Sequence, residues 1–199
     1  MLQNFLVLNR KNLSPAHLMN SVNDNLIAAD MDDILARCRE GDRVAQRELY
    51  ERFHRRVYGL AARLACQAEA DDLTQEIFMR VFAGINGFQG TACFSTWLYR
   101  VAVNECLRFR RAARPSPNRL AFEPASREIA PEQRFEQAEM LEYALQRLDP
   151  ALRAVFLLRH GEGLDYKQIS AVLEIPISTA ATRLARARTE LQRLLKSLV

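Results

Sequence analysis

The stretch Tyr166 to Arg188, YKQISAVLEIPISTAATRLARAR, decides how the chain is read. Ile169 and Val172 stand three apart and form the apolar side of a short helix, Tyr166 to Leu173, which Asp165 can cap. Ile175 fills a turn that Pro176 closes, and Ala180 and Leu184, four apart, anchor a second and longer helix from beneath. Ala171 reads as the small side chain that lets two helices cross tightly, and Ser178 or Thr179 as the residue that opens the second helix. Ser178, Thr179, Ala181, Thr182, Arg183 and Arg186 are left on its N-terminal half. A recognition helix presents side chains to base edges and phosphates from that half. Between Ser178 and Val199, Arg183, Arg186, Arg188, Arg193 and Lys196 stand against Glu190 alone. The pattern is a helix-turn-helix, and duplex DNA is its expected ligand.

Upstream, Met140, Leu141, Ala144, Leu145 and Leu148 give one stripe over Glu136 to Leu148, and Asp149-Pro150 supplies a cap followed by proline at the first helical position. The helix that follows runs through Phe156 to Arg159 and stops at Gly161 and Gly163. Four helices therefore fill residues 135–199. Before them, Pro115, Pro117, Pro124 and Pro131 crowd the stretch from Arg114, a density no helix interior tolerates, so residues 114–134 read as a flexible linker. Residues 31–113 form a second helical block. Ile34, Leu35, Val44, Leu49, Phe53, Val57, Leu60 and Leu64 recur mostly at spacings of three and four, broken at Gly41-Asp42 with Asp42 as an N-cap. Leu73, Ile77, Phe78, Val81, Phe82 and Ile85 stripe a third helix from Ala70. A fourth runs from Ser95, its expected cap, to Arg111, with Leu98, Val101, Ala102 and Leu107 inward. No alternation is long enough to argue a sheet. The expected fold is all-α, two small helical domains on a flexible linker, with residues 1–30 as a tail.

Composition bounds the function. The chain has 199 residues, 49% hydrophobic and 26% charged, with a net charge of +4. That profile is globular rather than fibrous or disordered. No apolar run is long enough to cross a bilayer, and MLQNFLVLNRKN has neither a basic leader nor a small-residue cleavage site. Cys38, Cys66, Cys93 and Cys106 form no C-x-x-C pair and read as small buried hydrophobes in a reducing compartment. His17, His54 and His160 are far apart, so no local metal site is expected and no cofactor is called for.

Two helices of the first block carry further chemistry. Asp71, Asp72 and Glu76 open the third helix, where carboxylates favour the helix dipole, and Gln75, Met79 and Arg80 share its exposed side, a mixed surface suited to a protein partner. The fourth sets Phe94, Trp97 and Tyr99 ahead of Arg100, Arg108, Arg110, Arg111 and Arg114. Aromatic rings stack any base while arginines hold the backbone, which is what single-stranded DNA requires. Trp97 and Tyr99 read equally as core residues. Arg100 and Asn104 lie one turn apart on one face.

These stretches carry a family resemblance. EADDLTQEIFMRVF (Glu69 to Phe82) looks like the acidic-start helix of the extracytoplasmic-function (ECF) sigma factors of bacterial RNA polymerase. FSTWLYRVAVNECLRFRR (Phe94 to Arg111) resembles their promoter-melting, minus-ten-reading helix, and LQRLDPALRAVFLLRHGEGLDYKQISAVLEIPISTAATRLARAR (Leu145 to Arg188) their minus-thirty-five domain. The similarity spans about Asp32 to Leu195, with three motifs in order and a variable linker in the right place. It implies a sigma region 2 bundle and a sigma region 4 helix-turn-helix. By resemblance, Asp71, Asp72, Gln75, Glu76, Met79 and Arg80 bind the coiled coil of the largest subunit of core RNA polymerase. Phe94, Trp97, Arg100, Asn104 and Arg108 take the unpaired minus-ten strand, with the Gly87 to Cys93 loop walling a pocket for a flipped base. Ser178, Thr179, Thr182, Arg183 and Arg186 read the minus-thirty-five duplex. The implied protein is cytoplasmic, not itself an enzyme, and often held by an anti-sigma factor in this family. The chain departs from its relatives at Glu174, where Gly is usual and positive φ would cost Glu about 1 kcal/mol. It departs again at Ser178-Thr179-Ala180 and Ala181, which leaves its base preference open. Two other readings stand beside this one: a free-standing helix-turn-helix regulator acting without polymerase, and an enzyme whose Asp71, Asp72 and Glu76 hold a cation.

Overall fold

The computed structural model describes residues 21–90, 93–112 and 133–197, and the regular elements among them are all helical. The first domain comprises α1 (Ser21–Arg39), α2 (Arg43–Leu64), α3 (Ala70–Gly84) and α4 (Phe94–Ala112), with 3-10 turns at Gln67–Glu69 and Ile85–Gly87. The Asp42 carboxylate accepts from the Val44 amide at 2.8 Å, which starts α2 as its sequence requires. Hydrogen bonds from Arg37 and from the amides of that first turn hold Asp42 below the usual carboxylate range. Ala45, Leu49, Phe53, Val57 and Leu60 turn one stripe of α2 inward, against α1, α3 and α4. Val44 does not belong to that stripe. It is 69% exposed, because a register that buries Ala45 rotates its neighbour about 100° away.

Other boundaries differ from expectation. Helix α1 begins at Ser21, so residues 21–30 are helical rather than tail, and Asp30 pairs with Arg52 on α2. Helix α4 begins at Phe94, and its first amide bonds, from Thr96 and Trp97, go to the Cys93 carbonyl. Ser95 thus lies inside the helix instead of capping it. The inner face of α4 is Phe94, Leu98, Tyr99, Ala102, Val103 and Cys106, while Val101 and Leu107 sit only at its margin. Cys38 and Cys106 are buried as expected, but Cys66 and Cys93 are exposed.

The second domain comprises α5 (Gln133–Arg147), α6 (Pro150–His160), α7 (Tyr166–Leu173) and α8 (Ile177–Lys196). Its caps are legible. Asp149 accepts from the Ala151 amide at 2.9 Å ahead of Pro150, and Asp165 forms a capping box with Gln168. Helix α8 opens at Ile177 with Pro176 at the cap, so Ser178 and Thr179 lie within its first turn. The expected linker, 114–134, lies outside the described residues except for its last two positions, which begin α5.

The domains meet along two seams. At one, α4 lies against α7. At the other, the C-terminal end of α2 meets α5 and α6, where Arg63 pairs with Glu142 at 2.7 Å. Arg153 sits at the second seam with 0% exposure, donating to the carbonyls of Arg63, Gln146 and Leu148 and to the Gln146 side chain. A cation aimed at the last carbonyls of α2 complements the helix dipole there. Burial pulls the Arg153 guanidinium down to about 10.

Candidate nucleic-acid interface

The short helix α7 turns into α8 through Glu174, which has φ 53° and ψ 44° and is the one non-glycine residue with positive φ among the described residues. Such a turn favours glycine, since a Cβ crowds the backbone there. Ser170 holds the turn by donating its hydroxyl to the Ile175 carbonyl at 2.5 Å. Ile169 and Val172 are buried below, with Ala180, Leu184, Ala187 and Leu191 along α8. Ala171, expected at the helix crossing, is exposed at the surface of α7 instead. The register of α8 places Ser178, Thr182 and Arg186 in one exposed row, with Thr179 and Arg183 half-buried beside it. No hydrogen bond or ion pair joins Arg183 or Arg186 to another described residue. By contrast Arg188 reaches His160 at 3.3 Å, and Arg193 pairs with Glu190 at 2.8 Å.

On the first domain, α4 splits its aromatic residues. Phe94 is only 6% exposed, wedged among Phe53, Phe88 and Trp97, so its ring has no free face for a base. Tyr99, 2% exposed, donates its hydroxyl to Glu162 of the second domain at 2.6 Å. Both rings face inward because α4 buries the side that carries Leu98 and Ala102. Trp97 is half-buried and, with Gly87, Phe88, Gln89, Thr96 and Arg100, lines a cavity. Ala171 of α7 forms part of the wall. Arg100 pairs with Glu174 at 3.4 Å, and Asn104, one turn on, is exposed. Arg108 is tied to Glu76 and Glu105.

On α3, Asp71 and Asp72 are exposed in the first turn, and Gln75, Met79 and Arg80 are exposed beyond them, Met79 at 66%. Glu76 and Arg80 differ from the rest: Glu76 bonds Arg80 at 3.0 Å and Arg108 at 2.9 Å, and Arg80 bonds Glu105 at 3.0 Å, linking α3 to α4. Among the described residues no group of three or more His, Cys, Asp or Glu side chains is placed to hold a metal ion. Glu162 and Glu174, the partners of Tyr99 and Arg100, carry no local sequence signal, because each pair joins residues more than sixty positions apart.

Comparison with known proteins agrees with this layout. The sigma-70 region 2 model matches residues 49–115, and the sigma-70 region 4 model matches 138–191. The ECF RNA polymerase sigma-E factor of Haemophilus influenzae is 30% identical over 83% of this chain and 95% of its own length. The RNA polymerase sigma-H factor of Pseudomonas aeruginosa is also 30% identical, over 83% and 94%. Two solved complexes resemble the fold at 26% identity. CnrH bound to the cytosolic domain of CnrY gives a TM-score of 0.59 over 82% of this chain and 96% of that one. The sigma factor RpoE of Bartonella quintana bound to the anti-sigma factor NepR gives 0.60 over 75% and 96%. The chain belongs to the ECF subfamily of sigma-70 factors, with region 2 in its first domain and region 4 in its second.

Proposed function

We propose that this sigma factor directs core RNA polymerase to its promoters by dividing two DNA tasks between its domains. The observation that carries the reading is the pairing of a cation-bearing helix-turn-helix on region 4 with an aromatic-walled cavity on region 2. On α8 the exposed row Ser178, Thr182 and Arg186, flanked by Thr179 and Arg183, reads the minus-thirty-five duplex from the major groove. On α4 the Trp97 and Arg100 cavity takes an unstacked base of the minus-ten strand, with Asn104 on the same face. Phe94 supports that wall from within. Capturing unpaired bases offsets the cost of opening the duplex, so binding energy alone drives melting and the chain performs no catalysis of its own. Asp71, Asp72, Gln75, Met79 and Arg80 supply the surface for core polymerase, and Glu76 and Arg108 brace it against α4. No helix of the described residues is long and apolar enough to cross a membrane, which fits a cytoplasmic chain. Because both structural relatives are bound to partner proteins, we propose that an anti-sigma protein holds this chain as well.

The test is run-off transcription with purified core polymerase on candidate promoters. Promoter-specific transcripts that require both proteins are expected. A chain that fails to bind core polymerase, under conditions where another sigma factor binds, would overturn the reading in favour of a free-standing regulator.

A further inference from the structure

Three apolar residues of α8 face outward beside its polar row. Ile177, at the first helical position, is 51% exposed, one of four large apolar side chains left exposed among the described residues. Ala181 and Ala185 follow it at steps of four, the first half-buried and the second exposed. Side chains four apart lie one above the other on a helix, so the three form a row alongside Ser178, Thr182 and Arg186. A single exposed isoleucine needs no explanation. An apolar row on the half of a recognition helix that meets base edges does.

The hydrogen-bonding capacity of this face is small. Thr182 donates its hydroxyl to the Ser178 carbonyl at 2.9 Å, and Thr189 donates to the Ala185 carbonyl at 3.2 Å. A hydroxyl has one hydrogen, so with that hydrogen spent on the helix backbone each oxygen can only accept from a base. From Ile177 to Thr189 there is no Asn, Gln, Lys, Asp or Glu. Arg188 reaches His160, which leaves Arg183 and Arg186 as the long donors. Apolar contact is what the rest of the face offers, and thymine alone among the four bases carries an apolar group in the major groove, its C5-methyl.

We propose that the row Ile177, Ala181 and Ala185 selects thymine in the minus-thirty-five element by covering its C5-methyl in the major groove, while Arg183 and Arg186 hold the duplex. The proposal rests on the reading of α8 as the minus-thirty-five helix. Ile177 has the largest share, because it has more apolar surface to bury than either alanine. Taking one methyl-sized group out of water corresponds to about a four-fold change in affinity.

The experiment uses the full-length chain assembled with core polymerase, and a candidate promoter randomised over its minus-thirty-five element. The sequences selected by binding are expected to fix thymine at one or more positions, on either strand. Each fixed thymine is then replaced by deoxyuridine, which removes the methyl and keeps base pairing and charge. A loss of about four-fold is expected at a thymine under the row, and none for deoxyuridine placed in the spacer. In Ile177→Ala the ratio of thymine to deoxyuridine binding should fall towards one at the position Ile177 covers, whereas Arg186→Ala should weaken both duplexes alike. The isoleucine is exposed and alanine is the better helix former, so the variant keeps its fold, which circular dichroism checks. A selected element with no fixed thymine overturns the proposal. So does equal binding of thymine and deoxyuridine duplexes at every position, or a ratio that Ile177→Ala leaves unchanged at every fixed thymine. Enrichment of no sequence at all, with Arg183→Ala and Arg186→Ala also without effect, would overturn the reading of α8 itself and the proposal with it.

Discussion

Regions 2 and 4 carry their proposed DNA residues in opposite states. On α8, Ser178, Thr182 and Arg186 stand in an exposed row, and neither Arg183 nor Arg186 is engaged by another described residue. On α4, Arg100 pairs with Glu174, Arg108 pairs with Glu76 and Glu105, and Tyr99 is bonded to Glu162. In the proposed reading the region 4 surface meets a rigid duplex, whose grooves exist before binding. In the same reading the region 2 surface takes a strand that exists only after melting, and its Arg100 and Arg108 are ion-paired in its absence. The difference lies in what each ligand is before binding, and it sets how strongly each region should respond to substitution.

The largest effect is expected where the two regions are joined. Arg153 donates to carbonyls at the end of α5 and in the turn before α6, and shares the Arg63 carbonyl of α2 with the Gln146 side-chain amide. Replacing it with alanine removes the guanidinium donor from the Gln146 and Leu148 carbonyls and opens a cavity. A loss of about 3–5 kcal/mol is expected, the range for breaking a buried charged network, and denaturant melts would measure it. A loss below about 1 kcal/mol would mean that water replaces the guanidinium at no cost.

Next come Arg183 and Arg186 of α8. Arg183→Ala with Arg186→Ala should weaken minus-thirty-five duplex binding by about 1–3 kcal/mol for each base edge that the pair reads. The salt dependence of that binding should flatten by about one unit for each phosphate that the pair neutralises. Unchanged affinity and slope would mean that α8 is not the reading helix. Arg193→Ala should change little, because Glu190 already neutralises it.

Much of this is legible in the sequence, for reasons that differ by residue. Caps at Asp42, Asp149 and Asp165 are local chemistry, so their spacing shows them directly. The inward rows of α2, α3 and α8 follow helical periodicity. The positive φ at Glu174 is readable through the family resemblance, because Gly is usual at that turn. What periodicity cannot separate is a ring that stacks on a base from one that fills the core. Phe94, Trp97 and Tyr99 are close in sequence, yet only Trp97 borders the cavity. Nor can it show Glu162 meeting Tyr99, since that hydrogen bond depends on how two domains dock. The boundary at Ser21 escapes a sequence reading because the helix runs ten residues past the clear patterning that starts near Met31.

Glu174→Gly gives a smaller effect of opposite sign to most substitutions. Relief of the left-handed backbone should add about 1 kcal/mol to region 4, while removal of the ion pair with Arg100, exposed on both sides, subtracts well under that. A higher melting temperature is expected together with more accessible Trp97. A destabilised variant would mean that the carboxylate contributes more than an exposed pair can.

The smallest effect is a pH dependence of the closure of the two domains on each other, and its sign follows from Glu162. Burial raises its carboxyl above the ordinary 4.5, while the hydrogen bond from Tyr99 and the charges of Arg56 and Arg63 on α2 pull it back. In the open chain Glu162 faces water and returns to its ordinary value, so closing takes up a proton. The contribution to closure is then fully present below the ordinary value and is lost as pH rises through the raised one. Tyr99 stays a neutral donor throughout, because burial pushes its phenol up. Acrylamide quenching of Trp97 should therefore strengthen as pH rises through the raised Glu162 value, and the dependence should flatten in Glu162→Gln, which cannot titrate. A slope that survives that substitution would assign the proton to another group. A flat wild-type profile would mean that Glu162 stays ionised against Arg56 and Arg63 even when closed, leaving the seam indifferent to pH.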